Sequence, residues 1–266
     1  MNPVYIEGIG VFAPGLVGWE QCAAVLAGRI PYVPAPLPRL SPALLAPDVR
    51  RRTTDHIRLA VEVAGEAVRH AQCDATRLAS VFASSESDGA ITHNICEEVA
   101  LPTPEVSPTR FHNSVNNAPA GYWCMAVGSQ QPSTSVAAFD GTFAAGLLEA
   151  GAQVLTEGLS LILVAHDTPL PEPLNRVRPM GTSFGVALVL TAQPSTRSLA
   201  RLALTLPAED TRESVLAISD LEILRLANPV ARSLPLLAAL ARQVRAHLTL
   251  PYVGRQTLGV TLEPMP

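Results

Sequence analysis

The sequence predicts an α/β protein built on one mixed, mainly parallel sheet with covering helices. Apolar strand-like runs, Leu159 to Ala165 and Val186 to Thr191, are what strands buried on both faces look like. Between such runs lie helical stripes, clearest where Ile57, Ala60, Val61, Ala64, Ala67, Val68 and Ala71 recur at spacings of three and four. A chain of 266 residues that is 48% hydrophobic and 16% charged has enough apolar surface to bury a substantial core.

In chain order, residues 4 to 12 (VYIEGIGVF) are β-branched and aromatic and predict a strand that bends where Gly8 and Gly10 permit it. Trp19 to Leu26 is a short helix stopped at Gly28, a natural C-cap. Residues 30 to 47 hold many of the 24 prolines and predict an irregular surface loop. A long helix is expected from Asp48 to Ala71, then a strand near Ser80 to Ala83 and helix from Asn94 to Ala100. Ser114 to Val127 is rich in small residues and helical, with Pro119 near a first turn or at a kink. Ser133 to Phe139 alternates as a strand, and Gly141 to Leu155 carries a helical stripe. Residues 1–195 make the main unit. Residues 196–266, packing on it as a shortened remnant, read as a strand (RLALTL), helices around Val215 to Leu226 and Leu234 to His247, and a strand near Thr257 to Leu262.

All 19 basic residues are Arg, so every chemistry that needs a lysine amine is excluded: a Schiff base, a P-loop lysine, a lysine general base. A formal net charge of -4 argues against nucleic acid as a partner. Cys22, Cys73, Cys96 and Cys124 form no CxxC pair and no zinc-ligand spacing with histidine, so neither metal nor cofactor is expected. MNPVYIEGIG has no signal-peptide pattern and no apolar run has membrane-spanning length, which predicts a soluble, cytoplasmic protein.

Gly181-Thr182-Ser183-Phe184-Gly185 matches a hydrolase G-x-S-x-G, with Asp210, Asp220 and His247 downstream. A nucleophile elbow needs a strand before its serine; here a loop precedes and a strand follows, so the match reads as a strand entry. Arg50, Arg51 and Arg52 are the only basic run, either a solvated helix start or a dock for an acidic partner. His166-Asp167, after a buried strand, reads as a structural hydrogen bond. The polar segment Arg110 to Ala118 is either a cap-and-turn network or the wall of an interface or pocket.

Taken together, VYIEGIGVFAPG, WEQCAAVLAGR, RRRTTDHIRLAVEVAGEAV, ASVFASSESDG, SPTRFHNSVNNAPAGYW and QPSTSVAAFDGTFAAGLLEA resemble, in register, the N-terminal half of a β-ketoacyl synthase. The resemblance covers roughly residues 3 to 192. With PMGTSFGVALVLTA, it narrows to the short chain length factors of aryl polyene, xanthomonadin-type clusters. It implies a truncated thiolase-like fold with a reduced second half, and pairing with an active β-ketoacyl synthase subunit that receives acyl carrier protein.

The departures decide what such a chain does. A condensing enzyme places its cysteine where the central strand enters a helix. Counting forward from Pro132 puts Asp140 there, counting back from Gly158 puts Gly141 there, and Thr142 follows. The family's two second-half histidines, in His-Gly-Thr-like and Gly-His-like settings, are missing as well. The resemblance therefore implies a subunit without condensing activity of its own. Its interface would comprise Ser133 to Phe139 and a helix from Asn113 to Trp123. Phe111, Val115, Tyr122 and Trp123 could end an acyl tunnel, with His112, Asn113, Asn117, Phe139 and Phe143 beside it, and Arg50 to Arg52 could receive the carrier protein. The alternatives are an acyltransferase or thioesterase using Cys124, His112 or Asp140, or a homodimeric acyl-binding protein.

Overall fold

The computed structural model describes residues 2–208 and 211–266; Asp210 lies outside them. Strand β1, Val4–Ala13, turns back through the two-residue β2, Leu16–Val17, into helix α1, Trp19–Leu26. The proline-rich stretch that follows forms neither helix nor strand as far as α2, Pro47–Arg52, whose proline sits in its first turn. Helix α3, Asp55–Ala71, is separate from α2. The single helix expected from Asp48 is broken at two β-branched threonines: Thr53 is extended, and the Thr54 hydroxyl accepts from the Ile57 N–H as an N-cap.

Strand β3, Ala79–Ala83, leads to α4, Gly89–Val99, which starts five residues before the expected Asn94 because the Asp88 carboxylate caps the Ile91 N–H. The helix expected from Ser114, and the interface helix from Asn113 to Trp123, are instead α5, Pro108–Asn113, and α6, Ala118–Val127, with a turn between. Pro119 explains the break: it has no N–H to donate and its ring would press on the carbonyl four residues back, at Val115, so it sits in the first turn of a new helix. Strand β4, Ser133–Val136, stops before Phe139, and a tight turn at Phe139–Gly141 opens α7, Thr142–Glu157.

Then come β5, Leu161–Asp167, the single turn α8, Leu174–Val177, β6, Phe184–Thr191, and β7, Ala200–Thr205. Helix α9 is Ser219–Ala227 and α10 is Leu234–Arg242. The helix expected to reach His247 ends five residues sooner, where Gln243 takes a left-handed conformation. His247 belongs to strand β8, Ala246–Pro251, which pairs with β9, Thr257–Pro264.

Among the described residues, all strands join one nine-stranded sheet in the order β4-β3-β5-β6-β1-β7-β9-β8, with β2 attached to β1. Among the described strands only β4, β3 and β5 run parallel and every other pairing is antiparallel, which corrects the expectation of a mainly parallel sheet. A parallel crossover needs a connection about a dozen residues or longer, usually a packed helix. Helix α7 supplies one between β4 and β5, but the segment from β5 to β6 carries only the one-turn α8, and those two strands pair antiparallel.

Period-two alternation sends side chains to two apolar layers. Val81, Leu161, Leu163, Val186 and Leu188 meet α1, α7 and α10 on one face, and Phe82, Ile162, Val164, Ala187 and Val189 meet α3 and α6 on the other. Helix α3 comes so near β1 that a Cβ on Gly8 or Gly10 would lie 2.2 or 2.1 Å from the carbonyl oxygen of Ala67 or Val63. Residues beyond 196 extend this same sheet by three strands and share its core. The sheet ends at β4 on one side and at β8 on the other.

Candidate functional site

The three parallel strands end level with one another, since Ala83 is in register with both Val136 and Ala165. Crevices beyond the carboxyl ends of parallel strands are where α/β proteins carry their sites. Three segments meet here: the loop Ser84–Asp88, the turn Phe139–Gly141, and the stretch from Asp167 to Arg178.

The Phe139 turn is a strand-to-helix elbow. Phe139 has φ 52, in the left-handed region that an aromatic side chain rarely occupies. Behind it the buried Thr142 hydroxyl donates to the Phe139 carbonyl at 2.7 Å and accepts from the Ala138 N–H at 3.0 Å. Gly141 meets the Tyr252 backbone: a Cβ there would lie 2.5 Å from the Tyr252 carbonyl oxygen. The loop after β8 therefore occupies the space against the start of α7. Asp140, at the nucleophile position by the forward count, accepts from Arg178 Nη1 at 2.7 Å. Arg178 Nε donates to Glu86 at 2.9 Å, and the guanidinium carbon lies 3.5 Å from the Phe139 ring centroid. Residues from three strand ends are thus tied by one cation. A carboxylate held this way lacks the chemistry of a thiolate, and among the described residues no cysteine takes its place.

Beneath the elbow lies a buried polar cluster. Asp167 accepts from the Ser84 and Ser85 hydroxyls, both at 2.8 Å, and from the Ser85 N–H at 2.9 Å. Burial nevertheless pushes its carboxyl up to about 6. The structural hydrogen bonds expected of this pair are made by Asp167, while His166 is buried beside it with the Val164 backbone as its neighbour.

The remaining sequence-derived residues fall into two groups. Phe111 is 63% exposed, Val115 45% and Phe139 60%. Asn117 is exposed and lines a small groove with Ala120, Gly121, Cys124, Ser133 and Ser135 between α6 and the free β4 edge. Tyr122, Trp123 and Phe143 are instead buried in the core. Asn113 is a hub: it accepts from the Tyr122 hydroxyl at 2.9 Å and donates to the Arg52 carbonyl at 2.8 Å, tying α2, α5 and α6 together. His112 packs edge-on against Tyr122.

Arg50 spends its guanidinium on the carbonyls of Ser41 and Pro42, while Arg51 and Arg52 face solvent. Burial pushes the Cys124 thiol up, with Ser133 its hydrogen-bonding neighbour, so it is no activated nucleophile. Ser183 leads into β6 as the strand-entry reading requires, and His247 bonds Thr261 on β9, far along the sheet order from Ser183. Glu86, Arg178 and Tyr252 escaped the sequence reading: Arg178 lies 38 and 92 residues from its two carboxylates, and no local pattern links them.

A parallel strand at the sheet edge that ends in an elbow entering helix α7, within this layered sheet, is the arrangement of a thiolase-like, ketosynthase fold. Residues 19–243 match the sequence model of the β-ketoacyl synthase N-terminal domain, and the chain belongs to that family. A search of curated proteins gave no match. Among solved structures it is similar to the ketosynthase ApeO in complex with its chain length factor ApeC from Xenorhabdus doucetiae, at 22% identity over 98% of each chain and TM-score 0.72. It is similar also to the ishigamide ketosynthase/chain length factor, at 12% identity over 100% of each chain and TM-score 0.75. A third, at 11% identity over 99% of each chain and TM-score 0.73, is AntDE:AntF, a type II acyl-carrier protein in complex with its ketosynthase. Identities this low establish a shared fold.

Proposed function

We propose that this chain is a non-catalytic chain length factor that pairs with an active β-ketoacyl synthase and shapes the acyl tunnel during polyene- or fatty-acid-type chain elongation. The observation that carries the reading is the elbow. It has the form that presents a nucleophile, yet it holds Asp140 locked to Arg178 with the Tyr252 backbone against the neighbouring Gly141. Removing an essential nucleophile typically costs on the order of a millionfold in rate. Such a site has no condensing power, so its use lies in what it presents to a partner.

The partner surface in this reading is the outer edge of β4, which has no strand neighbour among the described residues, with the α6 groove beside it. Unpaired strand edges invite pairing with another chain. Two of the solved structures it resembles are described as ketosynthase and chain length factor together, and the third contains an acyl-carrier protein. Exposed Phe111 and Val115 are the side chains assigned to limit the acyl chain, and solvent-facing Arg51 and Arg52 the ones assigned to an acidic carrier protein arriving through the complex.

The test is co-expression with the β-ketoacyl synthase encoded nearest to it, followed by mass measurement during size exclusion. A one-to-one complex that condenses malonyl units, while this chain alone does not, supports the reading. A chain that elutes as a monomer beside that synthase, or that condenses alone, overturns it.

A further inference from the structure

We propose that Arg178 is the positioning residue of the elbow, and that through it Phe139 is presented as an apolar anchor to the partner ketosynthase subunit. This rests on the function proposed above and names the residues on which the partner closes.

A left-handed φ at a phenylalanine costs free energy and persists only when its surroundings over-determine it. Here they do so on two sides. From behind, Gly141 is wedged against the Tyr252 carbonyl and Thr142 bonds both Ala138 and Phe139, so the turn has no room to relax inward. From the side, Arg178 lays its guanidinium on the Phe139 ring while bonding Asp140 in the same turn and Glu86 in the β3 loop. The Arg178 side chain is only 16% exposed, yet Phe139 remains 60% exposed. The protein therefore immobilises an aromatic ring and leaves it facing out.

The ring lies three residues beyond β4, whose edge is open, so it continues the surface that reads as the partner's. The same loop that supplies Glu86 also supplies Ser87, another left-handed residue, whose hydroxyl donates to Asn116 at 2.8 Å beside exposed Val115. The Ser84–Asp88 loop thus reaches both Arg178, through Glu86, and the turn between α5 and α6, through Ser87. Rigid, pre-organised aromatic anchors next to arginine are what concentrates binding energy at protein interfaces.

The experiment measures affinity for the partner synthase, by mass photometry and titration calorimetry, in Arg178→Met, Phe139→Ala and the double variant, with thermal unfolding of each chain alone. Each single substitution is expected to weaken the complex about tenfold or more, and the double variant no further than Phe139→Ala, because Arg178 acts through the ring. Arg178→Lys keeps the charge but not the planar stack, and should recover the thermal midpoint without full affinity. Losses that add independently, or wild-type affinity in Phe139→Ala, overturn the assignment while leaving the heterodimer standing. Absence of any complex with the wild-type chain overturns the assignment and the heterodimer together.

Discussion

The rings of His56 on α3 and His166 on β5 lie 4.4 Å apart between centroids, inclined at 43°, with the edge of Phe82 against His166. Both histidines are buried. Around them stand Asp88 at the start of α4, Asp167 next in β5, Glu86 in the intervening loop, and the Thr168 hydroxyl 3.4 Å from His56 Nδ1. Burial drives His56 down to about 4 against the opposing pull of Asp88, and burial together with His56 drives His166 well below its ordinary value.

Stability should fall as pH drops below about 6.5. A histidine whose folded pKa is depressed stabilises fully above its unfolded value, and that contribution disappears on acidification towards the folded value. For His56, a shift from 6.5 to about 4 corresponds to about 3 kcal/mol. Asp167 works the other way. Its folded pKa is raised, so its contribution is present in acid and is lost as pH rises through about 6. Two histidines oppose one carboxylate, so the net trend is loss in acid, and Asp167→Asn should steepen it between pH 6.5 and 5. Urea midpoints across that range decide the matter; a flat profile in Asp167→Asn contradicts the account.

Gly141→Ala should destabilise the isolated chain by about 1–3 kcal/mol, the usual cost of overpacking, because its Cβ meets backbone rather than a side chain that could turn away. Circular dichroism melts measure it. The comparison variant is Gly181→Ala, where the added methyl has nothing within 4 Å and little change is expected.

These effects mark where sequence reading stops. The strands that are buried on both faces, LILVA and VALVL, and the stripe of α3 were plain because their signals are local and periodic. Strand direction was not, since nothing in the Val186 run says whether its neighbour is parallel. The break before α3 carried a local signal, the N-capping hydroxyl of Thr54, which the apolar periodicity after it masked; Pro119 was legible as a first-turn or kink residue, but the separate helix α5 before it was not. At the site, the start of a helix just after Gly141 was legible in the sequence, and the structure has a turn at Phe139–Gly141 opening α7 at Thr142. The Arg178 clamp and the Tyr252 wedge were not, because they join segments remote in sequence.

Trp123 and Phe111 separate packing from tunnel shape. Trp123 is fully buried in the layer under α3 and α6, so Trp123→Ala should cost about 3–5 kcal/mol and lower the melting midpoint sharply. Phe111 is mostly exposed, so Phe111→Ala should leave stability within about 0.5 kcal/mol. If Phe111 borders the acyl chain in the complex, its truncation lengthens products, read by mass spectrometry of released chains. An unchanged product distribution removes it from that role.

Gly121 gives a test in which stability and assembly move in opposite directions. It lies inside α6, where a Cβ would meet nothing within 4 Å, and it lines the groove beside the open β4 edge. In a helix interior, alanine is favoured over glycine by about 1 kcal/mol, since glycine loses more backbone freedom on folding and adds no side-chain contact. Gly121→Ala should therefore raise the melting midpoint of the isolated chain. Should the groove receive the partner, each atom added there holds the two surfaces apart, and Gly121→Leu should weaken the complex at least tenfold while the isolated chain stays as stable as wild type. Parallel thermal melts and affinity measurements separate the two effects. A leucine at this position that leaves partner affinity unchanged would show that α6 faces solvent in the assembly and move the interface away from the β4 edge.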